Sequence, residues 1–214
     1  MKLPEKISPL LAEEIGLHLG DGSMNHYNNR GFYQLRGHIK DDKEHYKSRI
    51  KYIYQKVFEI DVSLREMHSC GVYGFQIWNT KLVNYKSKVL NLPLGKKWEF
   101  TAPIEIESNK ELSECFLRGY FDTDGCLYLE KKNNKLYPRV EFGTISKEFS
   151  KQLERILTNL KFKFCLYTEL RNKKGWQDLY RFRINGVNMT NKWFKEIIPA
   201  NSKHINKFNR IRNL

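Results

Sequence analysis

Two Asp-Gly dipeptides stand in matching settings. Asp21-Gly22 closes the stretch LLAEEIGLHLGDG, and Asp124-Gly125 closes ECFLRGYFDTDG. Each acid follows small residues at i, i+4 spacing: Ala12, Gly16 and Gly20 before Asp21, and Cys115, Gly119 and Thr123 before Asp124. On a helix such residues share one face, and little on that face holds a second backbone away. The two stretches are therefore expected to pack along their small faces and to bring both carboxylates together at one end. The following glycines are expected to end the helices by entering the left-handed region. Paired carboxylates there meet three penalties: burial, like charge and the negative end of each helix dipole. Divalent cations relieve all three, and hard oxygen donors favour Mg²⁺ over Zn²⁺. In a basic chain such a site suits phosphodiester hydrolysis, with metal activating water and stabilising the leaving 3′ oxygen.

The elements that must position the acids repeat. Asp124 lies 103 positions after Asp21, and Gly119 lies 103 after Gly16. The apolar face Tyr46, Ile50, Ile53 and Val57 returns at the same interval as Phe149, Leu153, Ile156 and Leu160. Around these anchors, periodicity predicts a helix capped by Ser8 and Pro9, then a hairpin Ser23–Tyr27 and Phe32–Lys40 across a turn at Asn28–Gly31. A helix from Asp42 to about Glu59, strands Val62–His68 and Val72–Asn79, and a helix Thr80–Leu90 follow. The second copy runs from a helix at Glu111–Thr123 through strands Cys126–Lys131 and Tyr137–Thr144, joined by the turn Lys132–Leu136. It continues through strands Phe164–Asn172 and Leu179–Asn185, around a basic Lys173–Lys174–Gly175 turn, to a helix at Val187–Ile198 and a basic tail. The result is an internal duplication: a first repeat over 1–95, a linker over 96–109, and a second repeat with its tail over 110–214.

Composition narrows the partners. The 214 residues carry 38 Lys+Arg against 24 Asp+Glu, a formal net charge of +14, with 14% aromatic residues. That balance indicates a folded basic protein with a polyanionic partner, nucleic acid ahead of a membrane surface. The cysteines Cys70, Cys115, Cys126 and Cys165 show neither CxxC pairing nor zinc-finger spacing and are read as reduced packing residues. No signal-peptide pattern and no membrane-spanning run is evident, so a reducing cytoplasmic or organellar interior is expected.

The segment Leu117-x-Gly119-x-x-Asp122-x-Asp124-Gly125 resembles the signature of the LAGLIDADG homing endonucleases. Glu14–Gly22 is a weaker copy that keeps Gly16, Leu17, Asp21 and Gly22. It departs at Glu14, where that family usually has an aliphatic residue, and at Leu19, where an acid is common. The resemblance covers nearly the whole chain. It implies an α+β fold of two pseudo-symmetric αββαββα repeats, with antiparallel β-saddles laid on DNA and helices on the outer face around a central two-helix interface.

The resemblance further implies a monomeric, site-specific double-strand DNA endonuclease that cuts across the minor groove and leaves short 3′ overhangs. Asp21 and Asp124 would be its catalytic acids. They would bind Mg²⁺, with Mn²⁺ substituting, together with Gly20 and Thr123. Lys81, just after the fourth strand, is the candidate active-site lysine; its counterpart is Asn188, and Lys40 and Lys147 are lesser candidates. Strand alternation assigns Gln34, Arg36, His38, Arg65 and Gln76 to the DNA face of the first saddle. In the second it assigns Tyr128, Lys132, Arg139, Glu141, Arg171, Arg181 and Arg183. Trp78, Trp176 and Trp193 are read as packing residues, and Trp98 as packed against a helix. A chain opening at Met1 and closing at Leu214 without a His-Asn end favours an intron-encoded or free-standing form over an intein. The alternatives are an intron RNA-splicing maturase, using the Lys203–Arg212 tail, and a catalytically silent DNA-binding protein of the same fold.

Overall fold

The computed structural model describes residues 1–171 and 175–212, so Lys173, Lys174 and Leu214 lie outside the described residues. The elements are α1 (Pro9–Asp21), β1 (Gly22–Tyr27), β2 (Arg30–His38), α2 (Lys43–His45), α3 (Lys51–Phe58), β3 (Arg65–Met67), β4 (Val72–Trp78) and α4 (Thr80–Asn84). A wide-wound π turn at Tyr46–Ile50 joins α2 to α3, and a second, Tyr85–Val89, extends α4. Then come α5 (Ile104–Ser108), α6 (Lys110–Asp124), β5 (Cys126–Lys132), β6 (Lys135–Thr144), α7 (Lys147–Asn159), β7 (Phe164–Glu169), β8 (Leu179–Asn185), α8 (Val187–Glu196) and α9 (Ser202–Arg212).

Two antiparallel four-stranded sheets result, in the orders β1-β2-β4-β3 and β5-β6-β8-β7. Each begins beside the C-terminus of a central helix. Ser8 accepts a hydrogen bond from Leu11 N at 3.2 Å and starts α1; Asn109 does the same for Leu112 N at 3.1 Å and starts α6. The sheets turn apolar residues such as Tyr33, Leu35, Phe75, Val140 and Phe182 toward the helices, where they are fully buried. Their opposite faces carry polar side chains, which is the alternation expected of a half-buried sheet.

Several local expectations are corrected. The first hairpins close with two residues, not four or five. Asn28 and Asn29 take φ of 47° and 62°, Asn133 and Asn134 take 50° and 58°, and the strands pair up to Tyr27–Arg30 and Lys132–Lys135. Asparagine tolerates left-handed backbone, so paired Asn residues support the type I′ turn that suits strand twist. Gly22 and Gly125 are not left-handed: both are extended, with φ of −76° and −87°. Glycine is required there for space, because a Cβ on Gly22 would lie 2.7 Å from the His18 backbone and one on Gly125 would enter the Phe121 ring. The linker contains α5, and the basic tail is the helix α9. It is anchored by Phe208 stacked on Phe194 at 3.9 Å and by His204 against Phe121 at 4.4 Å.

Candidate functional site

The small faces of α1 and α6 meet. A Cβ on Gly16 would overlap the Phe116 carbonyl oxygen and lie 2.7 Å from Tyr120 N. One on Gly119 would overlap the Glu13 carbonyl oxygen and lie 2.9 Å from Leu17 N. At the far end, the position of a Gly20 Cβ is 2.7 Å from Thr123 Cβ and 3.5 Å from Asp124 Cγ. Both helices stop there, so Asp21 and Asp124 meet at the joint of the two halves. Among the described residues neither carboxylate accepts a hydrogen bond from a donor side chain or backbone amide. Burial, then the charge of Asp124, then that of Asp42, push the Asp21 carboxyl up to about 7. Burial of its carboxyl also raises Asp124, although part of that residue stays open to solvent. Two acids short of donors and repelling each other have the electrostatics of a divalent-cation site. The described residues hold no cluster of three or more His, Cys, Asp or Glu suited to a metal. Further ligands would therefore be backbone carbonyls, water or substrate oxygens.

Two lysines that sequence reasoning did not place beside the acids, Lys97 and the tail residue Lys203, serve this joint. Lys97 Nζ donates to the last carbonyls of α1, at 2.7 Å to His18 O, 3.0 Å to Leu19 O and 2.7 Å to Gly20 O. It supplies the positive charge that the helix C-terminus calls for. Burial lowers its ammonium to about 8, against the opposing pull of Asp124 and Asp21. Lys203, at the start of α9, bonds Asp42 Oδ1 at 2.8 Å and lies within electrostatic reach of both Asp21 and Asp124. The signal was present in the chain: Pro93-x-x-x-Lys97 and Pro199-x-x-x-Lys203 are the same motif after equivalent helices. A one-residue shortening shifts their spacing to 106, out of step with the 107 of the strands before them. Gly20 fits a metal-ligand role only while sharing its carbonyl with Lys97, and Thr123 turns its hydroxyl back to Gly119 O and Tyr120 O.

Lys81 is not brought to the acids. It is an exposed residue of α4, tied to the opposite end of the first sheet by Gly31 N to Thr80 Oγ1 at 2.9 Å and Asn79 N to Gly31 O at 2.8 Å. β1 leaves Asp21 and reaches that end only at Tyr27, opposite Arg30. The chain position after a fourth strand was misleading because β4 runs away from the joint. Lys40 and Lys147 are exposed and leave the nearer ends of β2 and β6.

The polar sheet faces gather the other candidates. Gln34 and Gln76 are register partners bonded at 3.1 Å, Arg65 bonds Gln76, and Arg36 and His38 share that face. On the second sheet Tyr128, Arg139, Arg181 and Arg183 share a face, with Lys132 exposed at its outer turn. Arg139 pairs with Glu130 at 2.5 Å, and Arg171 with Glu169 at 3.0 Å. Glu141 is corrected from a DNA contact to a hub. It is only 8% exposed, and its oxygens take Arg183 at 2.8 Å, Tyr128 at 3.0 Å, Arg181 at 3.1 Å and Tyr167 at 3.2 Å. Alternation reveals a residue's face but not whether its acceptors are already taken. Beside Asp124 and this hub runs a cleft of about 390 Å³, lined by Gly20, Lys97, Asp124, Cys126, Glu141 and Arg181 among others. Of the tryptophans only Trp193 is core; Trp78 and Trp176 are 53% and 60% exposed, and Trp98 lies open under Lys96. No described helix is long and apolar enough to cross a membrane.

Comparison with known proteins agrees with this architecture. Residues 111–199 match the LAGLIDADG-like domain. The fold matches the homing endonuclease I-DmoI in complex with DNA and Mn, at 17% identity and a TM-score of 0.62, over 91% of this chain and 99% of that one. It also matches the LAGLIDADG meganuclease I-AabMI bound to uncleaved DNA, at 14% identity and 0.55, over 92% and 86%. In Methanocaldococcus jannaschii, 187 residues are 23% identical to part of glutamine–fructose-6-phosphate aminotransferase, covering 86% of this chain but 16% of that protein. An uncharacterized protein of the same organism is 25% identical over 174 residues, 78% of this chain and 60% of its own length.

Proposed function

We propose that this chain, a two-repeat protein of the LAGLIDADG family, is a site-specific endonuclease that cuts both strands of double-stranded DNA. The observation that carries this is the convergence of Asp21 and Asp124, both without donors, at the joint between two polar, arginine-bearing sheets. The solved proteins that share the fold include complexes with target DNA and with Mn, Mg or Ca, which supports a duplex substrate and a divalent metal for this chain. Mg²⁺ is the ion we assign, with Mn²⁺ able to replace it.

Asp21 and Asp124 would hold the metal, aided by the carbonyls of Gly20 and Thr123 and by oxygens of the DNA. When bound there, divalent cations supply an activated water and offset charge on the leaving 3′ oxygen. Lys97 keeps a fixed ammonium at the end of α1, beside the position a scissile phosphate would take, where developing charge needs it. Lys203 is the matching cation from the second repeat. It parks on Asp42 in the free protein and is available to the second strand. The arginines held by Glu141, Glu169 and Glu130 are oriented before DNA arrives, which lowers the ordering cost of binding. A single chain with two acids serves two strands, so a monomer suffices and the target is long and partly asymmetric. Both acids are retained, which weighs against a silent DNA-binding protein, and no feature of the site favours RNA splicing.

Plasmid carrying DNA from around the gene's insertion site, incubated with protein and Mg²⁺, should become linear. The Asp21→Asn/Asp124→Asn protein should still shift the same DNA in a gel. Intact plasmid in both Mg²⁺ and Mn²⁺ would remove the nuclease reading.

A further inference from the structure

The outer end of the first sheet carries an aromatic cluster on the polar face. Phe32 and Trp78 are register partners whose rings lie 4.9 Å apart, and Tyr27 meets them edge-on at 6.0 and 6.2 Å. Tyr27 and Trp78 are about half exposed, and the Arg30 guanidinium lies 5.0 Å over the Trp78 ring. The rings belong to the same face as Gln34 and Gln76, because Phe32 and Trp78 stand two residues further along β2 and β4. The matched positions of the second sheet are polar. They are Glu130 for Tyr27, Arg139 for Phe32 and Asn185 for Trp78, and Glu130 and Arg139 are ion-paired. An exposed apolar surface in line with polar readers, beside a cation, fits duplex DNA that offers both methyl groups and phosphates.

We propose that Tyr27, Phe32 and Trp78 form a shelf that recognises thymine methyl groups in the major groove. The shelf lies outward of the base pairs facing Gln34 and Gln76, on the first repeat's half of the target only. Thymine is the base this shelf selects because its 5-methyl group is the apolar feature that the major groove displays. Arg30 holds the Trp78 ring face and reaches the adjoining phosphates. The second half-site, facing Glu130, Arg139 and Asn185, is read by polar contacts instead. This inference rests on the DNA-cutting reading above.

The test uses full-length protein with Asp21→Asn and Asp124→Asn, selecting duplexes from a randomised pool. Recovered sites should contain a thymine-rich outer segment in one half-site only. Replacing those thymines by uracil, which removes only the methyl group, should weaken binding about fourfold per methyl. Adding Phe32→Arg and Trp78→Asn, the residues of the second sheet, should abolish both the enrichment and the uracil effect while Gln34 positions stay selected. Unchanged thermal unfolding verifies that this variant folds. Specific sites that lack the thymine segment, or that tolerate uracil without loss, would overturn the shelf and leave the endonuclease intact. Recovery of no preferred sequence would overturn both.

Discussion

Asp21 and Lys97 have opposite formal charges but are each strained toward neutrality, Asp21 up to about 7 and Lys97 down to about 8. Without metal, the folded chain holds a proton on Asp21 over a range where an unfolded aspartate has lost it. Between about pH 4 and 7 the native state binds more protons, so this group's contribution to stability falls as pH rises. Asp122, likewise raised to about 7 by burial, acts in the same direction. Denaturation of the metal-free protein at pH 5 and pH 8 should therefore show the acid-side form gaining from Asp21, and Asp21→Asn should reduce that difference. Lys97 belongs to the chemistry on the reading above. Lys97→Met should lower the cleavage rate about 10²- to 10³-fold, while a gel shift shows DNA affinity changed by far less. Equal loss of rate and of affinity would make Lys97 a binding residue only.

At the scale of elements, the α1–α6 pair depends on the absence of side chains. Gly119→Ala would drive a methyl group into the Glu13 carbonyl, which belongs to a packed helix backbone and cannot swing aside. The expected loss is about 1–3 kcal/mol, read from urea unfolding, together with weakened cleavage as the acids move apart. This pair was legible in the chain because its small residues and acids repeat at one interval. Other elements were not. The tail was not read as a helix, although Asn201 starts α9 by accepting from Lys203 N at 3.1 Å; the helix is held because His204 and Phe208 find aromatic partners contributed by α6 and α8. Strand β3 is shorter than its pattern suggested, since only Arg65–Met67 pair with β4. Lys97 and Lys203 were hidden because a single shortened loop displaced one from the register of the other, and their role exists only once the loops fold back on the joint.

Across the whole molecule the two halves share a plan but not a core. Glu14, one of the two residues of the first motif that depart from the LAGLIDADG pattern, is fully buried and holds Lys86 Nζ at 2.5 Å through both oxygens, with Tyr54 OH at 2.5 Å. Tyr33 and Tyr54 share a hydrogen bond at 2.7 Å, and Lys86 lies 4.8 Å over the Tyr33 ring. The equivalent places in the second half are Leu117, Trp193, Leu157 and Val140, all apolar and buried. Nothing in a lone Glu14 announces this, because its partner comes 72 residues later, in the turn that extends α4. Either Glu14→Leu or Lys86→Met should cost about 3–5 kcal/mol, since each strands a buried charge, whereas the double variant should recover most of that loss. Thermal unfolding of the three proteins would decide it; additive losses would mean the pair is not coupled.

The claim on which the rest depends is that carboxylates from both repeats hold divalent ions at one point on the duplex. Anomalous scattering from Mn²⁺ in crystals of the protein with its target DNA tests this most directly. The expected result is a manganese peak about 2.1 Å from oxygens of Asp21 or Asp124, with both acids engaged at the joint and a DNA phosphate completing the shell. Manganese bound elsewhere, or a joint in which only one acid ever meets metal, would contradict the account.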